Sequence, residues 1–162
     1  MEELPFRPSQ AGYTAAFDDG VRTIRLDGGR PRTRRGTLGN ATAVSASWML
    51  LAGDYDAFMG FVRNWSRTGT PFLCRLLLDS SQIRLYETSF VPDSVRLVSV
   101  QGMLFTVSAE LTVVPLPEYL NPDTDSGAAL LNLLRIYGNF SSVMQVMRGF
   151  EVLTNEKLPH EI

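Results

Sequence analysis

The sequence predicts an α+β domain dominated by an antiparallel sheet, and three observations carry that prediction. Several segments alternate apolar and polar residues with the period of a strand that buries one face. One segment repeats its apolar residues with the period of a helix instead. The turns between the later strands are short, so consecutive strands should pair antiparallel. The order is strand, strand, helix, then a run of strands, which makes the sheet the larger element.

The first alternation, "VRTIRL" at 21–26, sets Val21, Thr23 and Arg25 against Arg22, Ile24 and Leu26 and runs into a glycine turn. The second, "ATAVSASWMLLA", places Val44, Ala46, Trp48 and Leu50 on one face and Ser45 and Ser47 on the other, with Gly53 as its end. The period then changes. In "DYDAFMGFVRNWSRTG", Tyr55, Phe58, Met59, Val62 and Trp65 make one apolar stripe. Asp54 stands where an N-cap belongs, and Gly69 with Pro71 closes the helix. Laid on a sheet, such a stripe is read as core before it is read as a ligand cleft.

"PFLCRLLLD" reads as a short apolar strand. "IRLYETSFV" sets Tyr86, Thr88 and Phe90 opposite Leu85, Glu87 and Ser89, and "VRLVSVQG" follows. "LFTVSAELTVV" alternates Phe105, Val107, Ala109, Leu111 and Val113 against Thr106, Ser108, Glu110 and Thr112. Trp48, Phe58, Trp65 and Phe105 are the expected core anchors. The expected organisation is a β-sandwich or barrel over residues 1–116 with one flanking helix at 54–67. Residues 117–162 then form a proline-containing linker and a C-terminal arm, helical in part. Within it "SGAALLNLLRIYG" has Leu130, Leu133, Leu134 and Tyr137 at helical spacing from a Ser126 cap. "SSVMQVMRGFEVL" fits a helix or a strand, and the last residues, "TNEKLPHEI", are expected to be poorly ordered without a partner.

Composition narrows the function. Of 162 residues, 44% are hydrophobic and 20% charged, so a packed core is expected. The net charge of −2 argues against a dedicated DNA-binding protein, which carries a basic excess. One cysteine, Cys74, excludes an internal disulfide framework and a cysteine-based zinc site. The N-terminal "MEELPFRPSQ" has no apolar core of a secretory signal, and no stretch reaches the length of a membrane span, so a soluble protein of a reducing compartment is expected.

Catalytic chemistry is not expected, and no cofactor or metal. His160 is the only histidine and follows a proline close to the C-terminus, where no nucleophile is held against it. Cys74 sits among Phe72, Leu73 and Leu76, as a buried, inert thiol does. Asn121, Asp123 and Asp125 alternate like calcium ligands, but Ser126 replaces the glycine and Asn132 the glutamate that such a loop requires. Asp18, Asp19 and Asp27 flank a glycine turn and read as turn residues rather than paired catalytic carboxylates. "LDGGRP" matches no phosphate-binding spacing.

Taken in order, "VRTIRLDGGRPRTRRGTLGN", "TAVSASWMLLAGDYDAFMGFVRNWSRTGTPFLCRLLL" and "SFVPDSVRLVSVQGMLFTVSAELTVVP" resemble a phage tail family, that of the lambdoid minor tail protein M and related tail-tip proteins. The resemblance covers roughly residues 17 to 115 and rests on the order of elements and a few anchor residues. It implies the tail-tube fold, no catalytic residues, no cofactor, and a structural role as a distal tail or tail-tip ring protein of the virion. A homo-oligomeric ring is expected, hexameric, assembled in the host cytoplasm against neighbouring tail-tube and tail-tip hub proteins. DNA would meet it only in transit through the channel, and no membrane is involved. A tail-tube or head–tail connector ring is the alternative, and a small-molecule-binding β-barrel a further one. The segment beyond residue 115 and the arginine density depart from the family.

That density is local. Arg30, Arg32, Arg34 and Arg35 crowd "GGRPRTRRG", while Lys157 is the only lysine of the chain. The stretch reads as a mobile loop. Guanidinium forks pair with carboxylates and phosphates alike. The acidic balance and the lack of interleaved aromatics favour an acidic surface of an adjacent subunit or ring. Simple solvation, and lining a channel through which DNA passes, are the other two readings.

Overall fold

The structure, a computed structural model, describes residues 1–18, 20–25, 30–36, 40–121 and 123–152. It is α+β, with a mainly antiparallel sheet, and divides into two compact units, Met1–Leu120 and Asn121–Ile162. His160, Asp19, Asp27 and the glycines at 28 and 29 lie outside the described residues.

In the first unit the sheet is built around a central pair. Strands β4 (Thr42–Leu51) and β8 (Leu104–Val113) run antiparallel in unbroken register from Thr42 opposite Val113 to Leu51 opposite Leu104. β1 (Ser9–Ala16) flanks β4, and the other edge of β8 is shared. β6 (Arg84–Phe90) takes its C-terminal end and β7 (Arg96–Gln101) its N-terminal end. β6 and β7 thus follow one edge in one direction, interrupted by an excursion at 91–95. β5 (Phe72–Leu76) closes the order beyond β6. The path is open between β1 and β5, but the residues just before β1 bond along the free edge of β5. Leu4 N–H donates to Leu73 O and Leu73 N–H to Glu2 O, each at 2.8 Å.

The alternations read in β4, β6 and β8 bury the expected faces, whereas that of "VRTIRL" buries none. Val44, Ala46, Trp48 and Leu50 of β4 are buried, as are Phe72, Cys74 and Leu76, then Tyr86, Thr88 and Phe90, then Val107, Ala109, Leu111 and Val113. Helix α1 (Ala52–Thr68) covers this face. Its stripe is core: Phe58 is fully buried, and Tyr55, Met59, Phe61, Val62 and Trp65 pack half-buried against the cluster. Phe58 meets Trp48, Phe6 and Phe90 at ring separations of 5.1, 5.9 and 6.4 Å. The buried Thr88 hydroxyl is satisfied within the aromatic layer, since it donates to Phe72 O at 3.1 Å.

Three expectations are corrected. The N-cap of α1 is Leu51, with no side-chain cap; Asp54 lies one turn inside, where the helix dipole still favours its charge. Gly69 does end the helix, at φ 63°, with its N–H on Trp65 O. Phe105 is no core anchor. It is only half-buried, on the part of β8 beyond the deep core, and stacks on Tyr55 at 4.5 Å. β1 was not expected at all, because it does not alternate. Six residues of β1, from Ser9 to Thr14, stand against three of β4, from Ser47 to Ser45, with Gly12 at φ 76° in the irregular stretch.

In the second unit, the helix α3 (Ser126–Tyr137) is capped by Asp125, not Ser126. The Asp125 carboxylate accepts from Gly127 N–H and Ala128 N–H. That carboxylate, one of the apparent calcium ligands, is occupied in holding a helix start. "SSVMQVMRGFEVL" is helical, α4 (Phe140–Val152), and Asn139 caps it by accepting from Ser142 N–H at 2.8 Å. Between the β sheet and these helices, Pro117–Leu120 forms the short helix α2, inside the first unit.

Candidate functional site

The arginine stretch is not a loop. Arg32, Arg34 and Arg35 belong to a strand, β3 (Arg32–Arg35), paired antiparallel with β2 (Val21–Ile24) in a two-stranded sheet separate from the main one. Arg30 lies exposed in the segment before β3. The physical reason is visible in the register: Thr23 pairs with Thr33, and the strand-forming Val21 and Ile24 stand at the ends. The ladder continues past the last pair, because Gly36 N–H donates to Gly20 O at 2.7 Å. A side chain at Gly36 would press on that oxygen and on Arg22, each at 3.1 Å, so the close approach requires glycine. At the base, Gly20 N–H donates to Asp18 Oδ1, which holds that carboxyl below its ordinary range. Asp18 is thus a turn residue.

The register sorts the arginines by face. Residues directly opposite share a face, as do alternate residues along a strand. Arg22 stands opposite Arg34, and Ile24 opposite Arg32, so Arg22, Arg32 and Arg34 project together with Ile24 between them. Arg35 lies on the other face, opposite Val21. Every residue of both strands is exposed. Among the described residues none of these arginines meets a carboxylate; the ion pairs are Arg75 with Glu3 and Arg84 with Glu118. Like charges directly opposite one another destabilise a strand pair, and an isolated two-stranded ribbon is marginal in water. Here the opposed charges are fully exposed, so solvent screens most of that cost. Sequence reasoning found the arginines of β3 but missed Arg22, which the alternation of "VRTIRL" places opposite Arg34.

A second feature lies on the outer face of the main sheet. A groove of about 660 Å³ crosses β1, β4 and β8 and is bounded by the excursion at 91–95. Its floor is small and hydroxylic, with Ser45, Ser47 and Ser108, and its rim carries Asp93, Glu110, Arg96, Met49 and Val98. By contrast, the inner face is filled by the aromatic cluster under α1.

The single cysteine is sealed in the core. Cys74 is fully buried, and burial pushes its thiol up to about 12. A thiolate is therefore absent near neutral pH. Ellman's reagent should find no reactive thiol in the native chain at pH 8 and one equivalent in denaturant; rapid reaction of the folded chain would contradict this burial. Among the described residues no group of His, Cys, Asp and Glu is placed to hold a metal ion, and no helix is long and apolar enough to cross a membrane.

Comparison with protein-family models, with curated proteins and with solved structures gives no match.

Proposed function

We propose that the chain is a structural subunit of a phage tail, a distal tail or tail-tip ring protein of the tail-tube kind. It associates with copies of itself around the tail channel. The observation that carries this reading is the exposed arginine face of the β2–β3 hairpin, Arg22, Arg32 and Arg34, which has like charges opposed and, among the described residues, no carboxylate partner. Such a face is completed by an acidic surface on another molecule. The ordered segments that resemble the minor tail protein M family, and an antiparallel sheet with one flanking helix, support the same reading.

Solvation alone would give the opposed pair no purpose, and a resident nucleic acid would call for a basic excess across the domain rather than a net charge of −2. Paired guanidinium forks at a subunit boundary fix register more than they add affinity.

Replacing Arg30, Arg32, Arg34 and Arg35 together by glutamine should leave the melting temperature nearly unchanged, since exposed charges contribute little to folding. The same change should abolish assembly seen by light scattering and negative-stain imaging, and added salt should weaken assembly of the parent chain. A parent chain that stays a compact monomer at tens of micromolar counts against the ring. Variants that build intact tails and fail only at genome delivery would move the arginines to the channel wall.

A further inference from the structure

The partner surface for the arginine face can be named within the same chain, on the reading that the hairpin makes a contact between subunits. We infer that the hairpin of one copy seats in the groove on the outer face of the next copy's sheet, where Glu110 and Asp93 receive its guanidiniums.

Charge complementarity carries the match. The hairpin presents Arg22, Arg32 and Arg34 on one face. The groove presents Asp93 and Glu110 against the single Arg96, and neither carboxylate is in an ion pair among the described residues. Guanidinium groups are donors only, five N–H each, and require a surface rich in acceptors. The serine floor supplies hydroxyl acceptors between the carboxylates. The floor is low because alternation along β4 and β8 turns Ser45, Ser47 and Ser108 outward.

The two carboxylates are held on one frame. Ser94 Oγ donates to Val91 O at 2.7 Å and accepts from Glu110 N–H at 3.2 Å, which staples the excursion carrying Asp93 to the strand carrying Glu110. Asp93 itself sits at φ 60°, a left-handed conformation that aspartate tolerates in a turn. A preorganised acceptor loses less on binding than one that must be ordered. The apolar components also match. Ile24, 43% exposed, lies on the arginine face, and Met49 and Val98, 56% and 61% exposed, rim the groove. Among the described residues the hairpin contributes none of those that line the groove, so donor and receiver are different patches. A contact between different patches is heterologous and propagates from copy to copy, which is the condition for a ring or a stack.

The test uses two charge-reversed full-length chains: Arg32→Glu with Arg34→Glu, and Asp93→Arg with Glu110→Arg. Each alone should self-associate roughly ten-fold or more weakly in sedimentation velocity, because like charges then face each other across the contact. An equimolar mixture should recover assembly, since every hairpin in an alternating array then meets a groove of opposite sign. A groove variant that assembles like the parent, beside a hairpin variant that does not, overturns this inference and leaves the proposed function standing. Failure of the mixture to recover likewise overturns the pairing. A parent that does not assemble, or two variants that both assemble normally, sink the inference and the proposed function together. If thermal melting shows a reversed chain unfolded, Arg34→Cys with Ser108→Cys replaces it: oxidation should give a ladder of disulfide-linked chains, with buried Cys74 silent. Absence of the ladder overturns the pairing.

Discussion

Phe58→Ala should lower the free energy of unfolding by about 3–5 kcal/mol, the cost of deleting a large aromatic ring from a core that cannot collapse around the void. Phe58 is the only fully buried residue of α1, and its ring touches three separate parts of the first unit: Phe6 before β1, Trp48 on β4 and Phe90 on β6. Removing it uncouples the helix from the sheet and from the N-terminal segment at once. Trp65→Ala should fall at the lower end of the same range. Its ring meets Phe90 edge-on at 5.3 Å, but it is half-buried, and its indole N–H has no partner to lose. Urea titration of both variants reads the difference. A loss under about 1 kcal/mol at Phe58 would mean that the stripe does not carry the core. For a domain with a typical margin of about 5–15 kcal/mol, the Phe58 variant would approach the unfolding threshold.

How far the fold was legible depends on how local its causes are. The faces of β4, β5, β6 and β8 follow from alternation, because each strand buries one side under one helix. The helix α1 follows from its period, and its end from Gly69, since only glycine takes φ 63° there without strain. β1 was invisible because its irregular pairing around Gly12 is held by tertiary hydrogen bonds, Ser47 Oγ to Ala11 O at 2.6 Å and Ser9 Oγ to Ser47 O at 3.0 Å. The long-range bridge of residues 2–4 to Leu73 has no signature in "MEELP" either. Caps were misplaced by one to three residues, at Asp54 and Ser126, because several polar residues near a helix start compete and packing decides among them.

The candidate site was half legible. Arginine density marks the segment, but which arginines share a face depends on pairing register, and "RPRTRRG" has too few apolar residues to show a strand. Arg22 joins the site only once it stands opposite Arg34. Asp93 comes from the turn between β6 and β7 and Glu110 from within β8, and they carry no motif. Ser94 brings them together through contacts 16 residues apart in the chain.

Alkaline pH should unfold the first unit between roughly pH 9 and 12, and two buried groups give the sign. Burial pushes Cys74 from 9.0 to about 12 and Tyr86 from 10.0 to about 12, with nearby Glu3 adding to the first shift and Asp79 and Tyr119 to the second. Both side chains are fully buried. In each case the folded state prefers the neutral form, so the unfolded chain releases its proton first as pH rises. The stability they contribute is fully present below the unfolded values. It is lost progressively as pH rises toward the folded ones. Each unit of difference is worth about 1.4 kcal/mol, so the two groups together withdraw on the order of a few kcal/mol across the window, a substantial part of the margin of a small domain. Tyr13 shifts the same way, mainly through burial, and adds to the effect. Tyrosinate absorbance measures it directly. Tyr13 and Tyr86 should ionise above the ordinary tyrosine value, Tyr86 only together with the loss of circular dichroism. Tyr86→Phe should shift the alkaline midpoint upward, because the group that favours the unfolded state at high pH is gone. Ionisation of all five tyrosines near pH 10 in a chain that stays folded would show that Tyr86 is not sealed from water.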